Sequence, residues 1–163
     1  MIRHLINFLF WVLPPSRCFQ FKRFCLKLAK VEIGKNVSMC GRGWVYGRGQ
    51  LKIGSDTWLS PGVVFHTHLD APIILGSNCD VGPSVEFITG SHSIGTASRR
   101  AGEGTASEIV INDGCWLGAG SRILGGVHIG SGSVVAAGSV VINDVPENVL
   151  VAGIPAVVKK ALA

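Results

Sequence analysis

The chain has 163 residues and a formal net charge of +5, with 15% charged and 47% hydrophobic residues. This composition excludes an intrinsically disordered chain and a charged coiled coil, and the length suits one globular domain. The 22 glycines indicate many turns.

The positive charge is concentrated at the N-terminus. The segment before the first acidic residue, Glu32, contains six basic residues, which leaves nine basic and ten acidic residues for the rest of the chain. Basic and aromatic residues are not interleaved there in the way that stacks nucleobases. We therefore expect no nucleic-acid binding.

Residues 1–30 are predicted to form a basic amphipathic helical segment. The apolar run from Leu5 to Leu13 is shorter than the roughly 20 residues that cross a bilayer, and no signal-peptide cleavage site follows it. In CFQFKRFCLKLAK the apolar residues recur at helical spacing, with the lysines largely on the other face. Two roles stay open for the segment: capping an open end of the following repeats, or peripheral attachment to an anionic membrane.

The five cysteines are odd in number and widely spaced, matching neither a disulfide framework nor a CxxC zinc pattern. We expect them to be small buried hydrophobic residues. A reducing cytoplasm is the expected location, with peripheral attachment at the inner face of the membrane as the extension of that prediction.

A six-residue repeat dominates the remainder of the chain. From Ile111 an aliphatic residue recurs at every sixth position through Val141, which is typical of a parallel β-helix. The same repeat runs upstream from Ile33 to Phe87, giving fifteen hexapeptides and five triangular coils. Its interruptions all fall at one corner, and the longest, after His92, predicts a projecting loop.

The segments ITGSHS and CWLGAG, with the repeats that follow, resemble the hexapeptide-repeat acyltransferases. The similarity is greatest to sugar and polysaccharide O-acetyltransferases of the maltose and galactoside acetyltransferase type. The resemblance implies an all-β fold: a left-handed parallel β-helix over residues 31–146, with a loop at 93–107 and a C-terminal capping tail at 147–163. The left hand comes from the resemblance, because the period does not give it.

Counting residues in successive coils places Asp70 directly beneath His92. A carboxylate at that position fixes the imidazole tautomer and stabilises its cation. The resemblance implies that His92 is the general base that deprotonates the acceptor hydroxyl, and that an acid, here Asp70, supports it. The alternative for His92 is a corner residue that caps a turn, and His128 is expected to be a solvent-facing corner.

The same counting stacks Ala119 on Ala137, and two small side chains leave a groove for an extended pantetheine arm. The resemblance implies acetyl-CoA contacts at both alanines and Trp116 at the thioester end. Where relatives carry Lys or Arg after the terminal PA, this chain has Val157. The resemblance also implies acetyl-CoA contacts at Ile142 and Asn143 and at basic residues of the tail, here Lys159 and Lys160. Asp70 and His66 are predicted to contact the acceptor, and Arg99 and Arg100 of the loop are assigned to the acceptor with the coenzyme and solvent as alternatives.

These features predict an acetyl-CoA-dependent O-acetyltransferase that modifies a sugar hydroxyl in surface polysaccharide or lipopolysaccharide biosynthesis. The resemblance implies a homotrimer with active sites shared between chains, and no metal. Amino-sugar N-acetylation, a zinc site of the carbonic anhydrase type using His66, His68 and His92, and a non-catalytic scaffold are the alternatives. The repeats determine the fold and not the shape of the acceptor pocket, so the sequence does not identify the acceptor.

Overall fold

The computed structural model describes residues 2–163, so that the predicted segment 1–30 is described except for residue 1. Within residues 2–163, two helices, α1 (Ile2–Val12) and α2 (Phe19–Leu28), precede fifteen short strands that form the three faces of a triangular prism. The first face contains β1 (Glu32–Ile33), β4 (Leu51–Ile53), β7 (Ile73–Leu75), β12 (Ile109–Ile111) and β15 (His128–Ile129). The second face contains β2 (Ser38–Met39), β5 (Trp58–Leu59), β8 (Asp80–Val81), β13 (Trp116–Leu117) and β16 (Val134–Val135). The third face contains β3 (Trp44–Tyr46), β6 (Val64–His66), β9 (Glu86–Ile88), β14 (Arg122–Leu124) and β17 (Val140–Val141).

The predicted register of the coils is confirmed. Leu75 pairs in parallel with Ile53 below and Ile111 above, as the six-residue repeat requires. On the third face, Phe65 pairs with Phe87, and their buried rings stack with centroids 4.8 Å apart. The repeated aliphatic side chains therefore form one continuous core along the axis of a left-handed parallel β-helix of five coils.

Glycine after the repeated aliphatic position, as at Gly130 and Gly76, lies where successive coils approach closely. A Cβ added to Gly130 would be 2.4 Å from the backbone nitrogen of Glu147, and one added to Gly76 would lie 2.8 Å from the carbonyl carbon of Asn112. Only glycine fits such contacts without moving the backbone. The small residues that follow the aliphatic position thus set the spacing between coils at this corner.

A hairpin projects from the corner between the third and first faces. It consists of β10 (Gly90–Ile94) and β11 (Ala101–Ala106), which pair antiparallel. The hairpin begins before the predicted loop 93–107 and includes His92. Its apolar residue Ile94 is 90% exposed, so the hairpin extends away from the core.

The C-terminal tail adds a second hairpin, formed by β18 (Val149–Gly153) and β19 (Ala156–Ala161). β18 continues the second face beside β16, and β19 folds back on β18 in the antiparallel direction. The parallel ladder of that face therefore ends in a hairpin.

The two helices cover the opposite end of the prism, where α1 packs on β3, and α2 packs on β1 and β2. Phe10 and Leu26 are fully buried and join the core. Asn7 is also buried, and its side-chain amide makes two hydrogen bonds with the backbone of Val45, at 3.2 and 3.0 Å. The amide thus replaces the strand that would come next in the third face, and the two helices cover this end of the prism.

Basic residues of the cap satisfy further backbone carbonyls. Arg3 donates from Nε to the carbonyl of Ala29 and from Nη2 to that of Gly49, at 3.2 and 3.0 Å. The ammonium of Lys22, whose pKa burial lowers, donates to the carbonyls of Pro14 and Pro15 at 2.9 and 2.7 Å. Part of the basic character of the N-terminus therefore serves the fold itself.

Four of the five cysteines are buried as predicted, and Cys18 is exposed. Cys79 and Cys115 occupy equivalent positions in adjacent coils, and each thiol donates to a carbonyl of the next coil, Asn112 and Gly130, at 3.3 and 3.2 Å. Burial raises the pKa of Cys25 and of Cys40. The four buried cysteines are packing residues, and Cys79 and Cys115 in addition satisfy their thiols by hydrogen bonding.

Candidate functional site

His92 lies on β10 and pairs across the hairpin with Gly104. Its ring is exposed, and Nδ1 is 3.1 Å from the carbonyl oxygen of Gly102. Because a carbonyl can only accept, this contact places the ring proton on Nδ1 and leaves the lone pair on Nε2. A Cβ added to Gly104 would lie 4.0 Å from the His92 ring, an ordinary van der Waals distance, so the ring is not crowded on this side.

The predicted contact of Asp70 with His92 is not among the hydrogen bonds and ion pairs of residues 2–163. The carboxylate of Asp70 is 3.5 Å from Nδ1 of His68, and its backbone N–H donates to the same nitrogen at 3.3 Å. The physical reason is that the chain leaves the prism after Thr89, so His92 belongs to the hairpin ladder and not to the coil. A backbone carbonyl, in place of a carboxylate, orients the imidazole.

A cavity of about 470 Å³ opens at the base of the hairpin. His66 and His68 line it together with Glu86 and Gly90. The His66 ring stacks on Tyr46 with centroids 5.3 Å apart. The structure thus brings His66 and the His68–Asp70 pair to the corner from which the His92 hairpin leaves.

Tyr46 was missed by the sequence reasoning, although the repeat carries its signal. Tyr46 and Trp44 flank the buried repeat position Val45, and their rings stack with centroids 5.8 Å apart. In a strand, the two neighbours of a buried residue point outward. Together with His66, these rings form a row of stacked aromatic faces on the outside of the third face.

Arg99 and Arg100 lie at the tip of the hairpin, beyond His92. Arg100 donates to the carbonyl of Gly95 in the hairpin itself, at 3.4 Å, and Arg99 is exposed. Among residues 2–163, no hydrogen bond or ion pair joins either arginine to His66 or Asp70. Their predicted contact with the acceptor stays a prediction.

Trp116 lies on the second face in a row with two residues that the sequence reasoning missed. Trp58, Asp80 and Trp116 are direct neighbours in successive coils. The indoles are 40% and 58% exposed, and they border a shallow cavity of about 450 Å³. The indole N–H of Trp58 donates to Oγ of Ser60 at 3.2 Å, and the Phe19 ring meets this indole edge-on at 5.8 Å.

This row combines two apolar ring faces with one carboxylate, which suits a ligand that has both apolar and hydroxylated or amide groups. All three residues directly precede the repeated aliphatic positions of the second face. The six-residue repeat was therefore sufficient to predict that Trp58 and Asp80 lie in one row with Trp116.

The predicted stack of Ala119 and Ala137 is present. Both are exposed, and the N–H of Gly138 donates to the carbonyl of Ala119 at 2.9 Å, which joins the two corners. Exposed Ile142 and Asn143 follow β17 in the chain. Lys159 and Lys160 are exposed on β19. Their contacts with a coenzyme stay predictions.

The histidines of the zinc alternative have different neighbours. His66 stacks on Tyr46, His68 lies beside Asp70, and His92 faces the Gly102 carbonyl. Over the described range 2–163, no three His, Cys, Asp or Glu side chains converge as a metal-binding group. These three histidines therefore form no ligand set within one chain.

Comparison with known proteins supports the family resemblance. Residues 108–143 match the family model described as "Bacterial transferase hexapeptide (six repeats)". The putative colanic acid biosynthesis acetyltransferase WcaF of Escherichia coli is 31% identical over 144 residues, which cover 88% of this chain and 76% of WcaF. The galactoside O-acetyltransferase of Lactococcus lactis is 38% identical over 93 residues, which cover 57% of this chain and 45% of that enzyme. The alignment thus spans less than half of the lactococcal relative.

A solved structure extends the similarity to nearly the whole chain. The hexapeptide-repeat acetyltransferase VCA0836 of Vibrio cholerae, in complex with acetyl coenzyme A, superimposes with a TM-score of 0.77 at 30% identity. The superposition covers 99% of this chain and 86% of that one. With the coil register and the similarity to WcaF, this result shows that the chain belongs to the hexapeptide-repeat acetyltransferase family.

Proposed function

We propose that the protein transfers an acetyl group from acetyl-CoA to a sugar hydroxyl, on a precursor of a surface polysaccharide or lipopolysaccharide. The observation that carries this proposal is the exposed His92 imidazole, whose Nδ1 faces a carbonyl and whose Nε2 is left as a proton acceptor. The names of the relatives support it, since they are a galactoside O-acetyltransferase and a colanic acid acetyltransferase.

In the proposed reaction, Nε2 of His92 takes the proton of the acceptor hydroxyl as the oxygen attacks the thioester carbonyl. The new carbon–oxygen bond forms and the carbon–sulfur bond breaks. The departing thiolate of coenzyme A then takes the proton from the imidazolium. The Gly102 carbonyl, which accepts from Nδ1, stabilises the imidazolium between these two transfers.

Asp70 has a revised role in this proposal. Its carboxylate lies beside His68 at the base of the hairpin, where an acceptor that reaches Nε2 of His92 would pass. Carboxylates bind sugar hydroxyls by accepting hydrogen bonds. We therefore assign Asp70, with His66, to holding the acceptor.

The donor is proposed to lie along the groove above Ala119 and Ala137, with its thioester end at Trp116. The exposed small side chains allow the pantetheine arm to approach the backbone, and the indole covers its apolar end. Lys159 and Lys160 on β19 are the proposed phosphate contacts, as point charges.

The positions of His92 and Trp116 support a homotrimer. The His92 hairpin leaves the prism at the corner between the third and first faces, while Trp116 lies on the second face, which is opposite that corner. One chain therefore does not bring the base and the proposed thioester site together, whereas cyclic symmetry pairs the hairpin of one chain with the second face of the next. Sedimentation velocity is expected to give three times the 17.2 kDa chain mass. A monomer at assay concentration would contradict the shared site.

The acetyl transfer itself is tested by incubating the protein with labelled acetyl-CoA and a panel of sugars and nucleotide sugars. We expect label in at least one sugar, as an ester that mild base removes. Heat-unfolded protein is the control for spontaneous transfer. A base-stable product would show amide formation and favour amino-sugar N-acetylation, and labelling of none of the sugars would count against the proposed acceptor class.

A further inference from the structure

Helix α1 is apolar on its outer face as well as on the side that packs against the prism, where Ile6 and Phe10 are buried. Its polar residues Arg3 and Asn7 face the prism and bond to its backbone, whereas Leu5, Phe8 and Trp11 point outward and are 66%, 61% and 58% exposed. A helix at a water-exposed surface places its apolar residues toward the core and its polar ones outward. The outer face of α1 is therefore suited to an apolar environment.

Helix α2 continues this apolar surface. Its residues Phe21, Phe24 and Leu28 are each about half exposed or more, at 47%, 57% and 52%. Scattered exposed apolar residues are ordinary, but eight large ones on two adjacent helices, Ile2 and Val12 included, are not. We call these outward-facing residues of α1 and α2 the cap surface.

The cap surface lies at the positive pole of the molecule. Residues 2–52, which comprise the helices, the first coil and the first two residues of β4, contain ten basic residues and one acidic residue, a net charge of +9. Residues 53–163 contain five basic and nine acidic residues, a net charge of −4. Arg17, Lys27 and Lys30 are exposed within the cap.

An open cavity of about 660 Å³ lies beside α1. His4, Lys30 and Arg48 line it, together with Glu32. Cationic side chains next to an apolar helix face are the combination that binds phosphate headgroups above acyl chains.

We propose that the cap surface binds an anionic phospholipid bilayer, with both helices lying in the plane of the interface. Within residues 2–163, neither helix is long and apolar enough to cross a membrane. Each basic residue near an anionic surface contributes attraction, and the exposed aromatic residues insert at the level of the headgroups. A second copy of the chain fits less well, because two poles of +9 would face each other.

Flotation with sealed vesicles tests this proposal. The full chain is expected to float with phosphatidylcholine vesicles that contain phosphatidylglycerol, and to stay behind with phosphatidylcholine alone. The double variant Phe8→Ser/Trp11→Ser is expected to lower the bound-to-free ratio at least about tenfold. The control Ile94→Ser, which removes an even more exposed apolar side chain from the hairpin, is expected to float like the wild type.

A variant that lacks two positive charges of the cap provides a second test. Arg17→Gln/Lys27→Gln removes two exposed charges of the cap, and the flotation of this variant is expected to fall, as is that of the wild type when salt is raised. Arg99→Gln/Arg100→Gln, at the hairpin tip, is the control and is expected to leave flotation unchanged. Far-UV circular dichroism and the unfolding midpoint establish that each variant is folded.

Two results would overturn the proposal. One is equal binding of the wild type to neutral and anionic vesicles, or binding to neither. The other is an oligomer that Phe8→Ser/Trp11→Ser dissociates, because the cap surface would then be a contact between chains.

Discussion

Replacing His92 with alanine is expected to lower the rate of acetyl transfer at least ~100-fold, because the acceptor hydroxyl then loses its general base. His92 is exposed, and its contact is with a backbone carbonyl of the same hairpin, so the substitution removes no core packing. Steady-state kinetics with saturating acetyl-CoA measure the effect on kcat and on kcat/KM for the acceptor.

The matched control is His128→Ala. His128 is likewise exposed and has one polar side-chain contact, with its Nε2 3.3 Å from Glu108, but it lies on the regular strand β15. Its replacement is expected to leave the rate close to that of the wild type. A His92→Ala variant with near wild-type kcat would remove His92 from the mechanism. Asp70→Asn tests acceptor binding in place of proton transfer, because this variant is expected to raise the KM for the acceptor more than it lowers kcat.

Replacing Asn7 with leucine is expected to destabilise the fold by roughly 2–6 kcal/mol, from about 1–3 kcal/mol for each of two orphaned backbone groups. Leucine keeps the size of the buried side chain but bonds to neither the N–H nor the carbonyl of Val45. Urea unfolding is expected to show a lower midpoint at an unchanged m-value.

Two further variants separate the hydrogen bonds from general effects of leucine. Asn112→Leu places leucine at an exposed position and is expected to unfold like the wild type.

Asn7→Asp keeps both bonds when the carboxyl is protonated and loses the donor when it ionises. Burial opposite a carbonyl raises the folded-state pKa of such a carboxyl. The free energy of unfolding of Asn7→Asp is therefore expected to approach that of the wild type as pH falls. Equal stability of Asn7→Leu and wild type would show that water replaces the amide.

The coil register is predictable from the sequence because the repeat is strict. Each buried aliphatic residue, such as Leu75, recurs once per face, and strand pairing allows one arrangement that keeps all of them inside. The same argument applies to Trp58, Asp80 and Trp116, which occupy one position of successive hexapeptides. Periodic sequence thus determines both the core and the rows of side chains on the faces.

The departure of the hairpin is not predictable in this way. The repeat gives positions only while the chain continues in the coil, and ITGSHS contains no signal for the last residue in it. In the structure Thr89 is that residue: its hydroxyl donates to the carbonyl of His66 at 2.8 Å, and its own carbonyl accepts from Ser107 at 3.0 Å. The predicted contact of His92 with Asp70 assumed that the coil continued past Thr89.

The role of Asn7 in capping the edge of β3 could not be predicted from the sequence either. A single polar residue in the apolar run from Leu5 to Leu13 marks a break in hydrophobicity, while its function depends on the free edge of β3. That edge exists only once the prism has formed. Edge-capping groups are tertiary features and carry no local sequence signal.

The hydrogen bond between Thr89 and Ser107 closes the neck of the hairpin. Because the coil is complete across this neck, the inserted segment is structurally independent of the prism that supports it. The length and sequence of the hairpin can therefore change without repacking the interior, and the hairpin carries His92. A change confined to this hairpin would alter the surroundings of His92 while leaving His66 and Asp70 of the prism in place.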